Sequence, residues 1–234
     1  MREKRALVVQ HVAAEGAGRL GEALRRAGVG VDVSLAPEGV PSVETFDALV
    51  VMGGPMGVYE RAEHRFLLDE MRAIERALAR GIPMVGVCLG AQLLAATLGA
   101  PVGKGPAREL GFAPIERTDA GRRDPLIGRL QEPIEPLHWH GDVFALPEGA
   151  TSLARSAMTE HQAFAYGGAA WGLLFHLEAK LDQVRAMAEA FPDEVASVGL
   201  TAAQLLAEAE ARDATLEQQA MNVFDGFAAR IVER

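Results

Sequence analysis

The stretch from Ile82 to Leu98 limits the folds open to this chain more than any other. An apolar run from Ile82 to Val87 has the length of a buried strand, and Ala91 to Leu98, rich in Ala and Leu, has the character of a helix. Cys88 falls where one becomes the other, with Gly86 two residues before it and Gly90 two after. Glycine at both places allows a tight turn in which a Cβ would clash with the neighbouring strand or helix. This is the pattern of a nucleophile elbow, which projects one side chain at the end of a parallel strand. The helix that follows points free N–H groups and the positive end of its dipole at the sulfur, which favours thiolate. A lone cysteine after an apolar strand is otherwise a small buried hydrophobe, but that reading gives the two flanking glycines no role.

An elbow needs a sheet around it, and the chain supplies one. Ala6 to Val9 is a short apolar strand, Arg19 to Ala27 has helical spacing, and Val29 to Leu35 reads as a second strand ended by Pro37. Asp47 to Met52 gives a third strand, and Glu63 to Arg80 a charged amphipathic helix closed by Gly81. Strands alternating with helices predict an α/β fold with an open, mostly parallel sheet and helices on both faces. Ligands in such sheets collect beyond the carboxyl ends of the strands, where Met52 and Cys88 both run out. After Gly99 the segments shorten, and Gly111 to Glu116, Thr151 to Ala154 and Ala163 to Tyr166 read as strands of a mixed or antiparallel region. Gly167-Gly168 predicts a hairpin into a strand from Trp171 to His176. Three further helical pieces follow, near Ala179 to Ala190, Ala202 to Arg212 and Thr215 to Val232.

With 234 residues, 49% of them hydrophobic, the chain suits one large domain or a domain with an appendage. A net charge of −9 and a pI near 5.2, with scattered arginines, argue against nucleic-acid binding through general electrostatics. One cysteine excludes an internal disulfide or a cysteine metal cluster and fits a reducing cytoplasm. The apolar run after Met1-Arg2-Glu3-Lys4-Arg5 is too short for a signal peptide or a membrane span, so neither export nor membrane insertion is expected. Neither G-x-x-x-x-G-K-[ST] nor G-x-G-x-x-G occurs, which removes nucleotide sites of those two kinds.

Three segments could serve the thiol. In Phe175-His176-Leu177-Glu178 the His and Glu stand two apart at a strand end, so both face one way. Glu178 could hold one ring nitrogen and aim the other at Cys88; the plain alternative is an exposed pair at a strand end. Met52-Gly53-Gly54-Pro55 follows a buried strand with flexible residues, from which Gly54 could offer a backbone N–H to an oxyanion beside that of Leu89. Read plainly, it is a strand-to-helix loop. His138-Trp139-His140-Gly141-Asp142 would put both histidines and the Asp on one side of a strand, which invites a metal. With no further ligand set identifiable, a wall of a substrate pocket is the better reading, and no metal is expected.

Taken together, Gly-Val-Cys-Leu-Gly-Ala-Gln at 86–92, Met-Gly-Gly-Pro at 52–55, His-Gly-Asp at 140–142 and Phe-His-Leu-Glu at 175–178 resemble the class I (triad type) glutamine amidotransferases. The likeness is closest to stand-alone members similar to the amidotransferase domain of GMP synthase, and runs in order and spacing from Ala6 to Glu178. It implies a flavodoxin-like fold over a core of residues 1–178, with 179–234 as a helical extension packed on the core or at an interface. It also implies hydrolysis of the side-chain amide of L-glutamine without a cofactor. By position, Cys88 would be the nucleophile, His176 the acid and base and Glu178 its orienter. Gly54 and Leu89 would be the oxyanion donors, while Gln92 and the backbone of Trp139 and His140 would hold the amino-acid end. The family usually has Pro between the His and the Glu, where this chain has Leu177.

Two rival readings stand beside this one: a hydrolase of another γ-glutamyl compound, and a non-catalytic binding or regulatory module. With no phosphate-cradling motif present, activation of an ammonia acceptor would belong to another chain, such as a partner synthetase, or ammonia would simply be released. Leu205, Leu206, Met221, Val223, Phe224, Phe227 and Ile231 suggest a dimer or partner surface on the extension.

Overall fold

Apolar residues run unbroken through the first strand because both of its faces are covered. The structure, a computed structural model, describes residues 2–234. In chain order β1 (Arg5–Gln10), α1 (Gly18–Arg26), β2 (Gly30–Leu35), β3 (Ala48–Val51), α2 (Phe66–Arg80), β4 (Met84–Val87) and α3 (Leu89–Thr97) form the first half. The second half holds β5 (Val102–Phe112), β6 (Glu116–Arg117), α4 (Asp119–Arg123), β7 (Leu137–Phe144), β8 (Thr151–Arg155), β9 (Ala163–Tyr166), β10 (Ala170–Leu173), α5 (Leu181–Ala190), α6 (Pro192–Ser197) and α7 (Ala202–Val232).

Eight strands make the central sheet in the order β2-β1-β3-β4-β10-β9-β8-β6. The first five run parallel, and β9, β8 and β6 are added antiparallel. Side-chain alternation sorts each strand between two cores. Ala6 and Val8 join Leu20 and Leu24 of α1 and Phe224 and Phe227 of α7, whereas Leu7 and Val9 join Leu67 and Ile74 of α2 and Leu93 and Leu94 of α3. The expected α/β sheet with helices on both faces is therefore the fold. A separate antiparallel ribbon, β5 with β7, packs Leu137 and Trp139 against Val184, Met187, Val195 and Leu205 of the C-terminal helices.

Several boundaries differ from those the sequence suggests. β5 is long and begins at Val102, well before the strand expected at Gly111, because a register shift between Lys104 and Glu109 breaks its alternation. β10 stops at Leu173 rather than at His176, and the chain then bends, held by the His176 N–H on the Leu137 carbonyl at 2.8 Å. The last two helical pieces are one helix of 31 residues. Of the apolar side chains expected at a dimer or partner surface, Leu205, Val223, Phe224, Phe227 and Ile231 are buried in this chain's own cores, while Leu206 and Met221 stay partly exposed. Helix α7 covers the sheet beside α1, where Arg19 pairs with Asp213. No described helix is long and apolar enough to cross a membrane.

Candidate active site

Cys88 sits between β4 and α3 with φ 50° and ψ −107°, the one non-glycine residue with positive φ among those described. Such a conformation costs on the order of 1–3 kcal/mol and persists only where its surroundings enforce it. The two glycines show how. A Cβ on Gly86 would lie 2.4 Å from the Gly90 carbonyl oxygen, and one on Gly90 would lie 2.0 Å from that of Val51. The thiol borders a cavity at the carboxyl end of the sheet, is 6% exposed, and donates to the Trp139 carbonyl at 3.6 Å.

His176 and Glu178 meet beside it. His176 Nδ1 donates to Glu178 Oε1 at 2.7 Å, with both side chains buried. Nε2, the other ring nitrogen, has no hydrogen-bond partner among the described residues. Burial pushes the Cys88 thiol up, and the adjacent His176 pulls it back. Burial would lower His176, but Glu178 and Cys88 outweigh it and hold the imidazole well above its ordinary value. The Leu177 side chain, where the family usually has Pro, is buried in the same core as Phe175 and Leu216.

The loop after β3 lies opposite. Gly54 borders the cavity, and a Cβ there would come within 3.1 Å of Leu89 and 2.9 Å of the His11 ring. Leu89 opens α3, in the first turn where N–H groups have no intrahelical acceptor. Gln92 also lines the cavity and donates through Nε2 to the Asp142 carbonyl at 3.2 Å. Trp139 and His140 form the facing wall; Trp139 Nε1 donates to Glu194 of α6 at 2.6 Å. Of the residues singled out in the sequence, Gly54, Cys88, Gln92, Trp139, His140 and Asp142 border this cavity, with Leu89 following Cys88 at the start of α3 and His176 beside the thiol.

The histidine segment resolves differently from its metal reading. Asp142 turns to Lys104, 3.0 Å away, and Glu109 of β5 joins His138 and His140 in its place. The three offer ligand atoms within 4.8 Å of one another. Glu109, however, already accepts from Ser156 Oγ (2.6 Å), Gln162 Nε2 (2.9 Å) and Thr159 Oγ1. Both of its oxygens thus accept hydrogen bonds from neighbouring side chains. Burial lowers the pKa of both imidazoles, pushing His140 down to about 4.

Four charged positions escape a motif-based reading. His11 Nδ1 donates to the Gly53 carbonyl at 2.8 Å while Nε2 faces Glu70 at 2.8 Å, with both side chains fully buried. Burial works against a charged His11, but Glu70 and the Gly53 carbonyl outweigh it and raise its pKa. Glu15 reaches the cavity from the β1–α1 loop, and Arg108 enters it paired to Glu194 at 2.9 Å. The available signals were a polar segment just past β1, and Glu70 at the buried spacing Leu67, Glu70, Ile74 of α2.

The family model described as glutamine amidotransferase class-I matches residues 18–191, and the chain belongs to that family. It is 35% identical over 159 residues to YfeJ, a glutamine amidotransferase-like protein of Salmonella typhimurium, a match covering 67% of this chain and 66% of that protein. It is 37% identical over 131 residues to the glutamine-hydrolysing GMP synthase of Thermomicrobium roseum, covering 56% of this chain but 23% of the synthase. The crystal structure of a glutamine amidotransferase from Thermotoga maritima superposes with a TM-score of 0.88 at 31% identity, over the full length of both chains.

Proposed function

We propose that the chain hydrolyses the side-chain amide of L-glutamine through Cys88, His176 and Glu178, releasing glutamate and ammonia. The observation that carries this reading is the buried His176–Glu178 pair, 2.7 Å apart, beside a cysteine held at positive φ. The Cys88 thiol gives its proton to His176 Nε2, and the thiolate attacks the carboxamide carbon. The N–H groups of Gly54 and Leu89 receive the oxyanion. His176 then returns the proton to the departing nitrogen, ammonia leaves, and a γ-glutamyl thioester remains on Cys88. Water, deprotonated by His176, cleaves the thioester and restores the thiol.

A cavity bordered by Lys104 and Arg108 as well as Glu60, Asp142 and Glu194 offers partners for both charges of a zwitterionic amino acid. Gln92 and the backbone of Trp139 and His140 hold that end. We infer that an ammonia acceptor is activated on another chain, as a synthetase partner would do. Glutamate and ammonia release from L-glutamine, with Cys88→Ala as control, tests the reading. Turnover of other γ-glutamyl compounds in preference to glutamine would replace it.

A further inference from the structure

Glu15 is 7% exposed and borders the same cavity as Cys88 and Gly54. Its carboxylate fills the space where a side chain on Gly53 would be, with Oε2 2.2 Å from an ideal Cβ there. His11, His176, Glu178 and Glu194 are near enough to affect its charge, and no side-chain donor among the described residues hydrogen-bonds to the carboxylate. A carboxylate largely withdrawn from water gains from a hydrogen-bond donor, which a molecule in the cavity can bring. No step of the triad chemistry uses it.

What a ligand would bring to this position follows from the atoms around it. Cys88 and Gly54 border the end of the cavity where the reacting group must lie. The carboxamide oxygen there is directed to backbone N–H groups, which leaves the carboxamide nitrogen as the substrate's only donor at that end. We propose that Glu15 accepts a hydrogen bond from the carboxamide NH₂ and is the residue that distinguishes glutamine from glutamate. This rests on the glutaminase reading above. Glutamate carries a carboxylate where glutamine has NH₂, so it offers Glu15 no donor and sets two carboxyl groups against each other. The same contrast ejects the product. A site built around a substrate N–H rejects the analogue lacking it strongly, because its own buried acceptor is then left unpaired.

The test compares wild type with Glu15→Gln, which keeps the shape, and Glu15→Ala. Steady-state glutamine hydrolysis is measured together with protection of Cys88 from iodoacetamide by L-glutamine and by L-glutamate; protection needs no turnover. Losing one charge-assisted hydrogen bond should lower kcat/KM for glutamine about 10- to 100-fold. The glutamate concentration that half-protects Cys88 should fall about tenfold in Glu15→Gln, the reverse of its effect on glutamine. A general loss of structure would weaken both ligands alike. Unchanged glutamate protection in both variants, or parallel weakening of glutamine and glutamate, overturns the assignment while leaving glutaminase activity standing. A wild-type protein that does not turn over glutamine overturns the functional reading, and this proposal with it.

Discussion

His11 and Glu70 form a fully buried ion pair, 2.8 Å apart, directly behind the loop that carries Gly53 and Gly54. Helix α2 supplies the Glu and the residue just past β1 the His, so the Gly53-Gly54 loop is tied at once to a strand end and to a helix.

Removing Glu70 should leave an uncompensated His11, at a cost of about 3–5 kcal/mol. His11 titrates higher in the folded chain than its ordinary value. Its contribution to stability is therefore complete below about pH 6.5, the unfolded imidazole value, and is lost as pH rises through the folded value. His176 contributes with the same sign, so the informative quantity is the difference between wild type and Glu70→Gln. Thermal unfolding from pH 6 to 9 should show that difference shrinking as pH rises.

The elbow glycines give a sharper steric test. Gly90→Ala places a methyl 2.0 Å from the Val51 carbonyl oxygen, so backbone must move. A loss on the order of 3 kcal/mol is expected from overpacking of this kind. Gly103→Ala, with nothing within 4 Å of its added Cβ, is the control and should stay within about 0.5 kcal/mol. Urea denaturation of both variants measures the contrast, and equal midpoints would contradict it.

What could be read from the sequence was what is local in it. The Gly86–Gln92 turn, the Gly53-Gly54 loop and the His176–Glu178 spacing each carry their geometry within a few residues. His11, Glu15 and Glu70 gain their roles only when β1, β3 and α2 are brought together, which no short window contains. The strand β5 was obscured because Gly103-Lys104-Gly105-Pro106 has no apolar alternation and pairs with β7 across a register shift. Helix α7 looked like two pieces because polar residues from Ala211 to Thr215 interrupt its apolar stripe. There Arg212 leans on Phe112 and Asp213 pairs with Arg19, so that stretch is held by side-chain contacts instead.

Strain at Cys88 should be visible as a difference between two variants that lack the thiol. Cys88→Ala keeps a Cβ at φ 50°, whereas Cys88→Gly removes it. Glycine adopts positive φ without steric cost, so Cys88→Gly should exceed Cys88→Ala in stability by about 1 kcal/mol despite its greater unfolded-state entropy. Differential scanning calorimetry of the two proteins decides it, and a less stable glycine variant would show that the elbow stores no strain.

In the proposed mechanism His176 moves protons, whereas Glu178 orients it and raises its affinity for them. His176→Ala should therefore lose more kcat than Glu178→Ala, while Glu178→Gln should change the pH dependence of thiol reactivity. With the carboxylate gone, the imidazole loses the contact that most raises its pKa, and it becomes a weaker acceptor for a thiol that burial has pushed up. Thiolate must then form with less help, so Cys88 alkylation by iodoacetamide should slow at neutral pH and its profile move to higher pH. Stopped-flow alkylation rates from pH 5.5 to 9.5 measure this directly, independent of any substrate. A Glu178→Gln profile that overlays wild type would mean that the 2.7 Å contact fixes only the ring's orientation and leaves its basicity alone.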